Sequence, residues 1–190
     1  AKRKIKKDEK KTSGYSVELT GLILILMGII GFGFGYVGVL GKKFAMFLAG
    51  NWWFLVLIGL IWVGTYMLIK RKMPNFSSSR FIGLEVLFIV LLIKSHFSFL
   101  TLEGTPKAII TATYNNYMAR MDTITMATAL KSIGSTSIVI GGGFIGAIFI
   151  SIFAALFGIP GTKIVLTMLA IFGFILTFNI TFSDIWNKIK

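Results

Sequence analysis

Few residues of this chain could perform chemistry. The sequence contains one histidine, His96, and no cysteine. A Ser-His-Asp triad would have to use His96, and thiol nucleophiles, disulfides and cysteine-rich zinc sites are excluded. A G-x-x-x-x-G-K-S/T phosphate-binding loop is missing, because Gly41-Lys42-Lys43 lacks both the earlier glycine and the following Ser or Thr. We therefore predict no catalytic residue, no cofactor and no metal ligand.

Five polar residues lie within or beside long apolar runs: Asn51, Glu85, Lys94, His96 and Asn179. Such residues at membrane depth are by default candidates for function. Glu85 and Lys94, however, are nine positions apart and would lie on roughly opposite faces of a helix, so they do not form a ready-made ion pair. Both are near the end of a run, from which a side chain can reach the membrane interface. Snorkelling or a local hydrogen bond is favoured over ion transport.

The composition indicates which kind of protein must position these residues. Of 190 residues, 55% are hydrophobic and 14% are charged, and the formal net charge is +13. The charges occur in clusters between long uncharged runs, which is typical of a polytopic membrane protein and excludes an ordinary cytosolic enzyme. The basic residues of the first eleven positions can serve as topogenic charge, as contacts to anionic lipid or as contacts to DNA.

The predicted fold class is all-α, with four transmembrane helices. The predicted spans are residues 21–40, 53–69, 81–100 and 164–181, and a twenty-residue helix is about 30 Å long, which matches a bilayer core. Tryptophans and basic residues border the spans, as expected at membrane interfaces. Residues 1–20 form a basic tail, and the polar segment 101–137 lies between the third and the fourth span.

A fifth apolar stretch, residues 139–158, precedes the last span. Glycines open it and a Gly-x-Pro-Gly sequence closes it, which leaves a helix too short to cross easily. We predict a re-entrant or interfacial helix, with a short fifth crossing as the alternative. The residues assigned to this segment and its borders are Gly141, Gly142, Gly143, Gly146, Gly158, Pro160 and Gly161.

The positive charges predict the orientation. With four crossings and both termini in the cytoplasm, thirteen of the 20 lysines and arginines fall on the inner side. Lys188 and Lys190 are two of them. The other cytoplasmic basic residues are Lys2, Arg3, Lys4, Lys6, Lys7, Lys10, Lys11, Lys70, Arg71, Lys72 and Arg80. The outer side holds Lys42, Lys43, Lys94, Lys107, Arg120, Lys131 and Lys163.

Four glycines of the first predicted span recur at spacings of three, four and three: Gly28, Gly31, Gly35 and Gly38. On one continuous helix they would share a face and allow another backbone to approach closely, as small residues commonly do between membrane helices. This face is either a packing surface within one subunit or a seam between subunits.

The order of these features also carries a resemblance. A basic leader and a first span are followed by the outer turn AGNWWF at 49–54 and the basic inner turn KRKMP at 70–74 with Arg80. A third span then ends in LLIKSH at 91–96, and GGGFIG at 141–146 precedes the last span. This arrangement resembles the amino-terminal membrane domain of the FtsK/SpoIIIE family of DNA translocases.

The resemblance implies a function for the chain. In that family, this domain has four spans and cytoplasmic termini and anchors a hexameric motor, which translocates DNA during chromosome segregation, cell division or sporulation. It implies a homo-oligomer at the division septum of the bacterial cell membrane, in contact with lipids and other division proteins, with DNA bound through the motor domain. The alternative from the residues alone is a small oligomeric transporter or channel subunit, whose glycine-broken helix would form a substrate site.

Overall fold

The structure is a computed structural model. It describes the backbone of residues 2–97, 105–125, 128 and 140–180, with side chains from residue 15 onward except that of Pro106. Within these ranges every regular element is a helix, which confirms the predicted all-α class. The α-helices are α1 (Lys2–Ile30), α2 (Gly35–Ala49), α3 (Trp53–Lys70), α4 (Ser79–Lys94), α5 (Pro106–Thr123) and α6 (Gly143–Phe178), and a short 3₁₀ helix, Gly50–Trp52, connects α2 to α3.

Two helical stretches are long and apolar enough to cross a membrane by length and composition: Gly35–Lys70 and Gly143–Phe178. A shorter apolar helix covers Tyr15–Ile30. These two stretches are fewer than the four predicted crossings, because the criterion requires a helix of at least 18 residues. Helix α4, for example, has only 16 residues and carries charged side chains at both ends, so it does not meet the same criterion.

The chain divides into two compact units, and the first contains α1, α3 and most of α2. Here α1 and α3 pack antiparallel through glycines. A methyl group at Gly21 would lie 2.8 Å from the Gly64 carbonyl oxygen, and one at Gly28 would lie 2.5 Å from the Ile61 side chain. Contacts this short mean that the two backbones approach closely, which larger residues would prevent.

The first predicted span, residues 21–40, is not one continuous helix. Helix α1 ends at Ile30 and α2 begins at Gly35, because Gly33 and Gly35 adopt positive φ angles of 122° and 66°. Glycine reaches this region without the penalty that a side chain would carry, so it often ends helices. The sequence Gly-Phe-Gly-Phe-Gly at 31–35 thus turns the chain where a straight span was predicted.

The second unit contains the end of α2, α4, α6 and most of α5. Helix α4 runs antiparallel to the later part of α6. A methyl group at Gly83 would lie 2.7 Å from the Gly173 carbonyl oxygen, and one at Gly173 would lie 3.0 Å from the Leu87 side chain. The buried apolar core of this unit comprises Ile93, Ile109, Ala147, Ile150 and Leu166.

Helix α6 consists of two helical segments that meet at Gly158. This residue has φ 64° and ψ 177°, outside the helical region, and Pro160 follows within the next turn. The Thr162 hydroxyl donates a 2.7 Å hydrogen bond to the Gly158 carbonyl. This carbonyl therefore has a hydrogen-bond partner although the helix is interrupted at Gly158. The interruption lies where Gly158 and Pro160 predict it, and it separates residues 143–157 from residues 159–178.

Candidate functional site

The glycine-rich segment that precedes α6 is pressed against two other parts of the second unit. A methyl group at Gly142 would overlap the backbone of Leu92 in α4, and one at Gly143 would lie 2.5 Å from the Gly50 backbone nitrogen. Gly143 and Gly50 also have positive φ angles, 67° and 57°. Both the close approach and the backbone conformation therefore favour glycine here.

Asn51 connects the 3₁₀ helix to the same segment. Its backbone N–H donates a 2.9 Å hydrogen bond to the Gly141 carbonyl, and its side-chain oxygen accepts a 3.4 Å bond from the Ile140 N–H. A polar residue beside an apolar run thus satisfies backbone groups of a distant segment. Asn51 thus connects two parts of the second unit that are about 90 positions apart in the sequence.

His96 lies two residues beyond the end of α4 and is completely buried. Its Nδ1 accepts a 2.9 Å hydrogen bond from the Gly142 N–H. Its Nε2 lies 3.1 Å from the Thr113 hydroxyl, which itself donates a 2.7 Å bond to the Ile109 carbonyl. Because that hydroxyl proton is already used, an Nε2–H donor satisfies the contact with Thr113.

Gly146 completes this arrangement. A methyl group there would lie 2.6 Å from His96 Nδ1, so the imidazole fits only because the position lacks a side chain. We call the whole assembly the glycine–histidine junction. Its members are Gly50, Asn51, Leu92, His96, Thr113, Gly141, Gly142, Gly143 and Gly146.

Aromatic rings flank the junction. Phe144 stacks on Phe47 of α2 with ring centroids 4.3 Å apart, and Tyr117 of α5 contacts both rings edge to face. Burial raises the pKa of Tyr117 and lowers the pKa of Arg120, one turn further along α5. The end of α2, α5 and the start of α6 are therefore joined by packing as well as by hydrogen bonds.

The hydrogen bonds of His96 join the end of α4 to Gly142 and to Thr113 of α5. Across the described ranges, no group of three or more His, Cys, Asp or Glu residues could hold a metal ion. The arrangement fixes the relative positions of α4, α5 and α6.

The other predicted residues are dispersed. Gly28 and Gly31 pack against α3 side chains, Gly38 packs against the Ile30 carbonyl, and Gly35 has open space around it. The four glycines do not share one face, because the helix breaks between Ile30 and Gly35. Gly161 lies just after the break in α6, and a methyl group there would lie 2.8 Å from the Phe157 side chain.

The remaining polar residues make local contacts or face outward. Glu85 and Lys94 are exposed, and Asn179 ends α6 in a left-handed conformation. Arg71 forms a 2.6 Å ion pair with Glu18 of α1. The side chains of the basic tail and most of the segment 101–139 other than α5 lie outside the described residues.

Lys42 is one of the basic residues that the charge pattern predicts on the outer side of the membrane. It is completely buried, and its ammonium group lies 4.4 Å from the centre of the Trp53 ring. Phe32 packs edge to face on the same ring, with centroids 5.7 Å apart. A cation over an indole face is stabilised by the ring quadrupole. Trp53 therefore joins α2 to the start of α3, in addition to any role at an interface.

The hydrogen bonds of His96 allow a direct test. His96→Asn keeps an acceptor near the Nδ1 position but loses the bond to Thr113, whereas His96→Ala leaves the buried Gly142 N–H without its acceptor. We expect the free energy of unfolding, measured by circular dichroism in mixed detergent micelles, to fall by about 3 kcal/mol for His96→Ala and by about 1 kcal/mol for His96→Asn.

Thr113→Val provides the matched control, because it removes the hydrogen bond between His96 Nε2 and Thr113 by changing Thr113 instead of His96. Its effect should be smaller in the His96→Asn background than in the unmodified chain, by about 1 kcal/mol. Strict additivity, together with equal losses for His96→Asn and His96→Ala, would show that these hydrogen bonds do not stabilise the junction.

Comparison with known proteins finds relatives of this sequence. The chain is 29% identical to the DNA translocase FtsK of Oceanobacillus iheyensis over 99% of its length, and 29% identical to FtsK of Listeria monocytogenes over 95%. It is 30% identical to the DNA translocase SpoIIIE of Bacillus subtilis over 98%. The chain is related to the FtsK/SpoIIIE DNA translocases. The resemblance drawn from the sequence is thereby confirmed.

The match covers only part of each relative. The chain spans 24%, 23% and 23% of the lengths of these three translocases. No family model and no solved structure matches it. The relationship therefore concerns a segment of about a quarter of an FtsK or SpoIIIE chain.

Proposed function

We propose that this chain is the amino-terminal membrane-anchoring and oligomerising domain of a septal DNA translocase that acts in chromosome segregation, cell division or sporulation. The observation that carries the proposal is the match of 95–99% of the chain to FtsK and SpoIIIE proteins. It favours an anchor over the transporter alternative. Translocation of DNA is assigned to the parts of those relatives outside the match, and this chain has no enzymatic role.

Two antiparallel helix pairs support a four-span anchor. Gly21 lies beside Gly64 in the α1–α3 pair, and Gly83 lies beside Gly173 in the α4–α6 pair. In lipid, helices must satisfy their own backbone hydrogen bonds and associate mainly through close packing. Glycine-lined antiparallel pairs are well suited to both requirements.

The first segment of α6, residues 143–157, supports an even number of crossings. Gly142 at its start contacts Leu92, and Lys163 just beyond its end lines a cavity together with Lys94. The start of the segment and Lys163, six residues beyond its end, thus both lie near the carboxyl end of α4, although the segment itself is about 22 Å long. A crossing helix would carry the chain to the opposite end of α4.

The proposed orientation places both termini in the cytoplasm of a bacterial cell, because thirteen of the 20 basic residues then lie inside. The proposed partners are membrane lipids, other copies of the chain, other division proteins and, through the motor, DNA. A hexamer follows from the resemblance. Among the four glycines of the predicted oligomer face, Gly35 alone has space for a neighbouring chain, since the other three are packed within the unit.

A fluorescent fusion tests location and assembly together. The chain fused at its carboxyl end to a monomeric fluorescent protein should concentrate in the membrane at the septum and bleach in several steps. Gly35→Asn adds a side chain but tolerates the positive φ of this position, so it should reduce the number of steps without releasing the protein from the membrane. A uniform membrane signal that bleaches in one step would contradict the proposal.

A further inference from the structure

A cavity of about 480 Å³ lies between α4 and the second segment of α6. It lies wholly within the second unit, and none of its lining residues belongs to the glycine–histidine junction. Its walls are formed by Val90, Lys94 and Phe97 on one side, and by Lys163, Leu166, Thr167 and Ala170 on the other. Neither the fold nor the proposed anchoring role requires an open space here.

The lining of this cavity is polar at one end and apolar along its length. Lys94 and Lys163 come from antiparallel segments and lie at the same end. Val90 lies one turn from Lys94 along α4, and Ala170 lies two turns from Lys163, about 10 Å further along α6. An occupant that fits this pattern has a negatively charged group at one end and a hydrocarbon chain attached to it.

Both lysines are available to an occupant. Their side chains are exposed, and no described residue places a carboxylate within ion-pair distance of either. Thr167, which also lines the cavity, has its hydroxyl proton donated to the Lys163 carbonyl in a 2.9 Å bond. Thr167 thus has no hydroxyl proton left to donate to an occupant, and the two lysine ammonium groups are the donors at this end.

We propose that this cavity binds one anionic phospholipid, with its phosphate between Lys94 and Lys163 and an acyl chain along Val90, Leu166 and Ala170. A phosphodiester carries one negative charge, and two lysines can neutralise it while the glycerol and acyl groups extend between the helices. The apolar wall distinguishes a lipid from free phosphate, which would gain nothing from Leu166 and Ala170. On the predicted topology, the lipid belongs to the outer leaflet.

Native mass spectrometry of the detergent-purified chain with added phosphatidylglycerol or phosphatidylcholine provides the test. We expect one tightly bound phosphatidylglycerol and much weaker binding of phosphatidylcholine. Lys94→Gln with Lys163→Gln should weaken phosphatidylglycerol binding by roughly thirtyfold, since each lysine near an anionic surface contributes about fivefold. The matched control is Lys72→Gln with Lys107→Gln, which removes the same charge from exposed positions outside the cavity.

Two further measurements separate this proposal from non-specific attraction. Ala170→Phe should fill the apolar part and reduce phosphatidylglycerol binding about tenfold while both lysines remain. Inorganic phosphate and glycerol phosphate should compete poorly. Equal losses in the control pair, no effect of Ala170→Phe, or full competition by inorganic phosphate would each overturn the proposal. All of the substituted lysines are exposed, so we expect these variants to retain the fold. A circular dichroism melt of every variant verifies this.

Discussion

Gly142→Ala is expected to lower the free energy of unfolding by about 3 kcal/mol. The added methyl group would overlap the Leu92 backbone, which cannot move aside as a flexible side chain could. Separating the two segments would also stretch the hydrogen bond from the Gly142 N–H to His96. Gly142 itself has φ −92°. Alanine tolerates this conformation, so the effect isolates the close approach from backbone strain.

Gly59→Ala is the matched control for this change. Gly59 lies within α3, and a methyl group there would have nothing within 4 Å. The same chemical substitution should therefore be neutral or stabilise the chain by up to about 1 kcal/mol through helix propensity. Reversible unfolding in mixed micelles measures both variants. Similar stabilities for Gly142→Ala and Gly59→Ala would show that the contact with Leu92 does not stabilise this fold.

The sequence predicts those parts of the fold that depend on local composition. Uninterrupted apolar runs predict helices, and Gly158 with Pro160 predicts the interruption inside α6. The resemblance to FtsK/SpoIIIE could likewise be drawn from the order of short segments. Each of these inferences uses residues that are close together in the chain, where backbone preference and hydropathy are informative.

The junction depends on contacts that local patterns do not encode. His96 and Gly142 are 46 positions apart, and Thr113 lies on a third helix. The sequence marks His96 as a lone polar residue in an apolar run but does not give its partners. The burial and the hydrogen bonds of His96 depend on the packing of the end of α4, α5 and the segment before α6.

The glycine contacts show the same limit. The regular spacing of Gly28, Gly31, Gly35 and Gly38 suggested one shared face, yet positive φ angles at Gly33 and Gly35 end the helix between them. The close approach of α4 to α6 instead uses Gly83, which has no neighbouring glycine at helical spacing. Spacing predicts a shared face only where the helix is continuous.

We propose that the chain crosses the membrane an even number of times, with residues 143–157 returning to the side from which they start. The native sequence contains no cysteine, so single substitutions report sidedness without background. Lys107 lies before this segment and Lys163 lies after it, and both are exposed. Lys72, at the proposed inner turn, is the matched control.

Labelling of intact protoplasts with a membrane-impermeant maleimide is the most direct measurement. Lys107→Cys and Lys163→Cys should both react from outside, whereas Lys72→Cys and Lys190→Cys should react only after the membrane is opened. The expected difference is nearly all or none, because a charged maleimide does not cross the hydrocarbon core. External reaction of Lys107→Cys and Lys190→Cys, with Lys163→Cys protected, would contradict the account.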